Sequence, residues 1–188
     1  MEYFDIIDPA TGLPTGQTIS RTEAHATGTP HRTAHVWILR TVDGRQQVLL
    51  QKRSLAKDSF PGCYDTSSAG HIPAGSEPKE SALRELSEEL GIEASENELL
   101  PIGHFEIRYE RPFHGHLFKD NEYANVYVLT RPVDISDITP QKEELDSVAW
   151  FDFEYLREAI GRHDPRFCVP TPGLAVLEAY LRGRSRNS

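Results

Sequence analysis

Cysteine is scarce in this chain: Cys63 and Cys168 are the only two among 188 residues. Two thiols so far apart cannot make a disulfide framework and lack metal-site spacing, so both read as reduced thiols. Long apolar runs are missing as well, which excludes a helical membrane span. The opening residues, MEYFDIIDP, are acidic and have neither the basic nor the apolar part of a secretory signal. A cytoplasmic location is therefore expected. Positive charge is in deficit, with 20 Lys and Arg against 29 Asp and Glu for a net charge of -9. That balance argues against a nucleic-acid partner. It leaves room for a small phosphorylated substrate, which needs only a local basic cluster and a metal.

What the chain does have is one dense stretch, GHIPAGSEPKESALRELSEELGI, from Gly70 to Ile92. Its second half reads as a helix. At 3.6 residues per turn, Ala82, Leu83, Leu86 and Leu90 fall on one face. Glu85, Glu88 and Glu89 gather on the opposite one, because positions three and four apart are neighbours. Carboxylates this close need a cation among them. Arg84, four residues before Glu88, is one candidate, and a hard divalent ion is the other. Gly70 and Gly75 in the preceding loop permit close backbone approach. Pro78 suits a first helical turn, and Ser76 is a candidate N-cap.

This order of residues resembles the Nudix box: Gly, five residues, Glu, seven residues, then Arg-Glu-apolar-any-Glu-Glu-any-Gly-apolar. Gly70, Arg84, Glu85, Leu86, Glu88, Glu89, Gly91 and Ile92 fall in register. Gly70, Arg84 and Gly91 are then structural positions of the motif. One position departs, since the motif's first Glu falls on Ser76 and a Glu stands one place later at Glu77. The resemblance implies an α/β fold, the Nudix α/β/α sandwich around a mixed β-sheet. It also implies a magnesium cofactor, with manganese as the alternative.

The rest of the chain agrees with that fold class. Residues 3–8 and Gln17–Ser20 read as strands of a hairpin. Thr22 is a possible helix cap and Gly28 a possible stop. Val36–Val42 and Val48–Gln51 flank the turn signal Asp43-Gly44. Lys52, Arg53 and Lys57 cluster after that strand, ahead of a Phe60-Pro61-Gly62 turn and a strand over Tyr64–Ala69. Leu99–Tyr109 reads as a strand, 111–121 as a loop, Glu122–Thr130 as a strand and Pro132–Lys142 as a loop. A strand over Ser147–Phe151 precedes helices over Phe153–Ile160 and Leu174–Leu181. There is no internal repeat and no low-complexity linker. The expected organisation is a single domain over 1–183, with 1–30 as an N-terminal extension packed on it and 184–188 as a disordered tail. Composition does not distinguish a monomer from a homodimer.

Outside the acidic helix, Glu122 opens a strong strand after Asp120 and is the first candidate for a completing ligand or base. Glu143 and Glu144 are second choices. The segments AHATGTPHRTAHVWI, QKRSLAKDSFPGCYD, SSAGH, RYERP and DNEYANVYV resemble isopentenyl-diphosphate isomerase and its Nudix relatives. That resemblance covers about His25 to Phe153. It implies a second metal site of two N-terminal His, a loop His and two acids, matching His25, His31, His71, Asp120 and Glu122. Such a donor set suits manganese, iron or zinc. Taken on the residues alone, His25 reads as an ordinary polar loop residue, His31 reads equally as that or as a ligand, and His71 is set apart by its place beside Gly70. The isomerase carries a catalytic Cys two residues before the loop His, where this chain has Ala69. A methyl group transfers no proton. Tyr109 and Glu122 match only the other half of that machinery.

The reading is a Mg-dependent hydrolase that cleaves a phosphoanhydride bond in a nucleoside-diphosphate-type substrate. Glu85, Glu88, Glu89 and Glu122 would hold the metal and supply the base. Lys52, Arg53 and Lys57 would bind substrate phosphates. Trp37, Phe113 and Tyr123 are aromatic residues that could stack on a base. The rival readings are an isopentenyl-diphosphate isomerase and a non-catalytic ligand-binding module on the same fold.

Overall fold

The computed structural model describes residues 1–57 and 59–185. Its centre is a seven-stranded mixed sheet. The long strand β3 (His31–Val42) runs parallel to β8 (His116–Leu129) and antiparallel to β4 (Arg45–Arg53). β7 (Leu99–Phe113) pairs outside β8, and β5 (Tyr64–Asp65) and β9 (Leu145–Asp152) pair with β4. The first half of β3 takes β6 (Ser68–His71) as its partner instead of β4. Ser67 bridges the place where those partners divide: its hydroxyl donates to Leu49 O at 2.6 Å and accepts from Ile38 N at 2.9 Å.

Alternation along these strands builds two cores. On one face Ala34, Val36, Ile38 and Leu49 pack against Ala82, Leu86 and Leu90 of α2 (Pro78–Leu90). On the other, Trp37, Val48, Leu50, Val126 and Val128 pack against α3 (Phe153–Gly161) and α4 (Thr171–Ser185), through Leu156, Leu174 and Leu177. The result is an α/β fold with helices on both sides of the sheet. A separate hairpin, β1 (Tyr3–Ile7) with β2 (Pro14–Ser20), leads into the short helix α1 (Arg21–Thr27). Among the described residues no helix is long and apolar enough to cross a membrane.

Several boundaries differ from the sequence expectation. Helix α1 is capped by Ser20, not Thr22, and stops at Gly28 in the left-handed region. Residues 111–121 are not a loop. β7 and β8 continue as a paired ladder to Phe113 and His116, because Pro112 and Gly115 sit at the tip of a hairpin. Strand β3 begins five residues before Val36, so His31, Thr33 and His35 share one of its faces. The N-cap of α2 is Glu77, without a side-chain cap bond, so Ser76 is not the cap. Helix α4 runs through Ser185, two residues into the segment expected to be a tail. The remainder of that tail, 186–188, lies outside the described residues.

Candidate functional site

A cleft of roughly 830 Å³ opens where β4 and β6 part, and the acidic face of α2 forms one wall. The helix presents Glu85 against the backbone of Gly70, where a Cβ would overlap the carboxylate. Glycine is required at 70 for that contact. Arg84 donates to Glu85 at 2.5 Å, to Glu88 at 2.7 Å and to His71 O at 3.2 Å, bracing two carboxylates and the loop together. Glu89 is buried one turn beyond Glu85, with Oε2 accepting from Ala69 N at 3.3 Å and from Gln51 Nε2 at 3.4 Å. Burial, reinforced by the nearby Glu85 charge, pushes the Glu89 carboxyl up to about 8. Burial also raises Glu85, against the pull of Arg84. A group held in its neutral form this way is poised to ionise when a cation arrives.

The loop ahead of α2, where the motif departs at Ser76, is tied to the N-terminal hairpin. Asp5 of β1 accepts from Gly75 N at 2.9 Å and from Arg32 at 3.1 Å. Arg32 in turn donates to Ser76 O at 3.2 Å. The anion that steadies the loop therefore comes from the N-terminal hairpin. Glu77 is exposed and does not supply it.

A second cluster lies at the other end of the cleft. His25 on α1, His31 at the start of β3 and His71 on β6 bring ring nitrogens within 4.8 Å of one another, and His31, Asp120 and Glu122 do the same. Phe4 packs against both His31 and His71, at 4.9 and 4.6 Å, the two imidazoles lie 5.2 Å apart, and His25 stacks on Phe118 at 4.2 Å. These are not solvated loop residues: His25 and His31 are buried, which corrects the loop reading of His25 and decides the even one for His31. Burial lowers all three imidazoles, His25 to about 3, so they are neutral at pH 7. The His31 Nδ1–H donates to Thr29 O at 2.9 Å, which leaves Nε2 as the lone pair. That Nε2 and Asp120 Oδ1 are buried with no hydrogen-bond partner among the described residues. Two orphaned acceptors on residues whose donor atoms gather within 4.8 Å fit a cation. Glu122 accepts from Thr33 at 3.1 Å and lies 3.6 Å from His71 Nε2. Burial and the adjacent Asp120 raise its pKa. Tyr109 stands opposite Asp120 in the β7–β8 ladder, and burial with the Asp120 and Glu122 charges raises its phenol pKa.

The basic residues divide. Arg53 reaches the cleft while pairing with Asp65 at 3.2 Å, and Lys57 lines it while paired with Glu144. Lys52 turns away to Asp146 at 3.2 Å and does not line the cleft, so it does not join the other two. Glu143 also lines the cleft. Trp37 is buried in the core, and Tyr123 stacks on His104 at 4.7 Å, so neither offers a free ring to a ligand. Phe113 packs on Phe60 at 5.0 Å at the tip of the long hairpin.

Three site residues escaped the sequence reading. Phe4 and Asp5 act across a long loop closure that no local pattern reports. His35 was hidden by starting β3 at Val36. Placing it instead at His31 shows 31, 33 and 35 alternating onto one face.

The NUDIX domain family model matches residues 29–168. Over 168 residues, 88% of this chain, the sequence is 40% identical to Nudix hydrolase 3 of Arabidopsis thaliana. This chain spans about a fifth of that relative, 21% of its length. An isopentenyl-diphosphate Delta-isomerase of Roseobacter denitrificans is 28% identical over 94% of this chain and 92% of its own. Among solved structures, DR0079 of Deinococcus radiodurans shares the fold at a TM-score of 0.69 and 21% identity. The match covers 95% of this chain and 99% of that one. The chain belongs to the Nudix hydrolase family.

Proposed function

We propose that this protein is a metal-dependent hydrolase cleaving a phosphoanhydride bond in a diphosphate of the nucleoside-diphosphate type. One observation carries the reading: Arg84-braced Glu85 and Glu88, buried Glu89, and the cations Arg53 and Lys57 face one cleft. Phosphoryl chemistry is limited by charge, so positioning and neutralisation supply most of the catalysis. Glu85, Glu88 and Glu89 would hold magnesium or manganese. When bound, the ion supplies positive charge to the diphosphate oxygens and acidifies water. Arg53 and Lys57 would bind the remaining phosphate charge. Gly70 lets the Glu85 carboxylate lie against the loop, and Arg84 fixes its direction. Glu122, raised by burial and by Asp120, is suited to accept the proton from the attacking water. His31, His71, Asp120 and Glu122, with His25, would hold a second, softer ion.

Isomerase chemistry is disfavoured at Ala69, which faces the cleft with a methyl group. His35 stands across from it, but burial lowers that imidazole to about 4, leaving it a weak base and neutral at pH 7. A screen of diphosphate compounds with products resolved, with and without magnesium, tests the proposal. Anhydride cleavage that requires the ion is expected. Cleavage of none of them with either magnesium or manganese would retire it in favour of a binding module.

A further inference from the structure

The cleft continues past the metal-capable groups, and sheet register defines its floor. His35 and Ala69 are directly opposed in the β3–β6 pair, so both side chains leave the sheet on one face. Thr33, which donates to Glu122, precedes His35 on that face. Two strand residues separate them by about 7 Å, the reach of a group attached to a diphosphate. His35 is 6% exposed and lines the cleft, with its ring edge-on to Phe105 at 5.2 Å. Neither ring nitrogen has a hydrogen-bond partner among the described residues. Neither nitrogen is among the fully buried unpaired side-chain atoms, so both stay reachable from the cleft. Beside it lie the ion-paired side chains of Arg53 and Asp65, each 13% exposed. Ala69 leaves this floor uncovered, since its methyl group is too short to screen the imidazole.

A hydrocarbon seated here would strip water from His35 and Asp65 and return no hydrogen bond. A hydroxyl group can donate and accept at once, as can a neutral imidazole through its two nitrogens. We propose that His35 is a specificity residue: it hydrogen-bonds a hydroxyl of a sugar-like substituent on the diphosphate and so selects hydroxylated diphosphates over hydrocarbon ones. The placement of the diphosphate rests on the hydrolase reading, whereas the preference does not depend on cleavage.

Calorimetric binding of ADP-ribose and of isopentenyl diphosphate to the metal-free protein tests this without turnover. The natural protein should bind ADP-ribose at least tenfold more tightly. His35→Leu should reduce that preference about tenfold or more, since sites built to bond a hydroxyl reject analogues that cannot pair. His35→Gln, which keeps a donor and an acceptor, should retain most of it. Ala69→Leu should act like His35→Leu by covering the imidazole from across the ladder. A ratio measured on one preparation cancels any unfolded fraction, and Ala69→Leu decides the matter if His35→Leu does not fold. An unmoved ratio in both leucine variants, or a natural preference for isopentenyl diphosphate, overturns the assignment. Formation of AMP from ADP-ribose, followed on the same preparations once magnesium is added, keeps the two ideas apart. Cleavage with an unmoved ratio removes His35 and leaves the hydrolase. A ratio that moves as expected with no cleavage removes the hydrolase and leaves His35.

Discussion

The two ends of the cleft hold metal-capable groups of opposite design. On α2, three carboxylates come from one helical turn and a half, and a single arginine braces two of them. At the far end, five donors come from α1, β3, β6 and β8, with neutral imidazoles and two orphaned atoms among them. The first design manages excess negative charge by burial and Arg84. The second excludes charge, keeping histidines unprotonated by burying them against Phe4 and Phe118. A hard ion that keeps its waters suits the first. An ion that accepts imidazole suits the second. Local spacing dictates the helix site, whereas tertiary packing creates the histidine site.

The largest expected effect lies on the helix. Glu89→Gln replaces a buried charge-capable ligand by a neutral one, and turnover should fall by several orders of magnitude in a chain that still folds. Undiminished product release by the folded variant would remove Glu89 from the machinery. The same variant carries a pH signature. The Glu89 carboxyl titrates near 8 when folded, against an ordinary value of 4.5. Below pH 4.5 both states keep the proton. Above it the unfolded chain releases first, so metal-free native protein loses stability up to about pH 8, by at most ~1.4 kcal/mol per pH unit. Glutamine has no such proton. Denaturant titrations without metal should therefore show Glu89→Gln gaining on the natural protein across that window, and a divalent cation should reverse the trend. A gap that stays flat with pH would mean that Glu89 ionises freely.

An intermediate effect is expected at the histidine end. His31→Gln removes the lone pair near Asp120, so manganese or zinc affinity should fall at least tenfold by equilibrium dialysis while magnesium binding at α2 persists. Equal loss of both would mean that the two ends form one site. The smallest effect belongs to Ser76→Glu. Asp5 already holds the loop, and the unpaired Arg32 Nε is a neighbour able to receive the new carboxylate. Steady-state rates should change less than tenfold. A hundredfold gain would show that Asp5 does not replace the motif carboxylate.

This contrast also sets what could be read from the chain. The α2 site was legible because i, i+3 and i+4 spacing alone determines which side chains share a helix face. The mixed sheet and both outer helices followed from apolar alternation and turn residues. His25 was discounted because nothing local distinguishes it from a solvated histidine. Its burial depends on Phe118, far away in sequence. Asp5 steadies the loop at Ser76 from a hairpin distant in sequence, and Lys52 was grouped with Arg53 although adjacent strand residues face opposite ways.

The most direct test of the central claim is the fate of isopentenyl diphosphate and ADP-ribose in deuterated water with magnesium. Isomerisation needs two positioned proton carriers, and one face here offers only Ala69 and a neutral His35. Anhydride cleavage of ADP-ribose is expected, with no deuterium in the carbon skeleton of isopentenyl diphosphate. Deuterium incorporation at about 1 s⁻¹ or faster, within the ordinary range of enzyme turnover, with ADP-ribose left intact, would contradict the hydrolase reading.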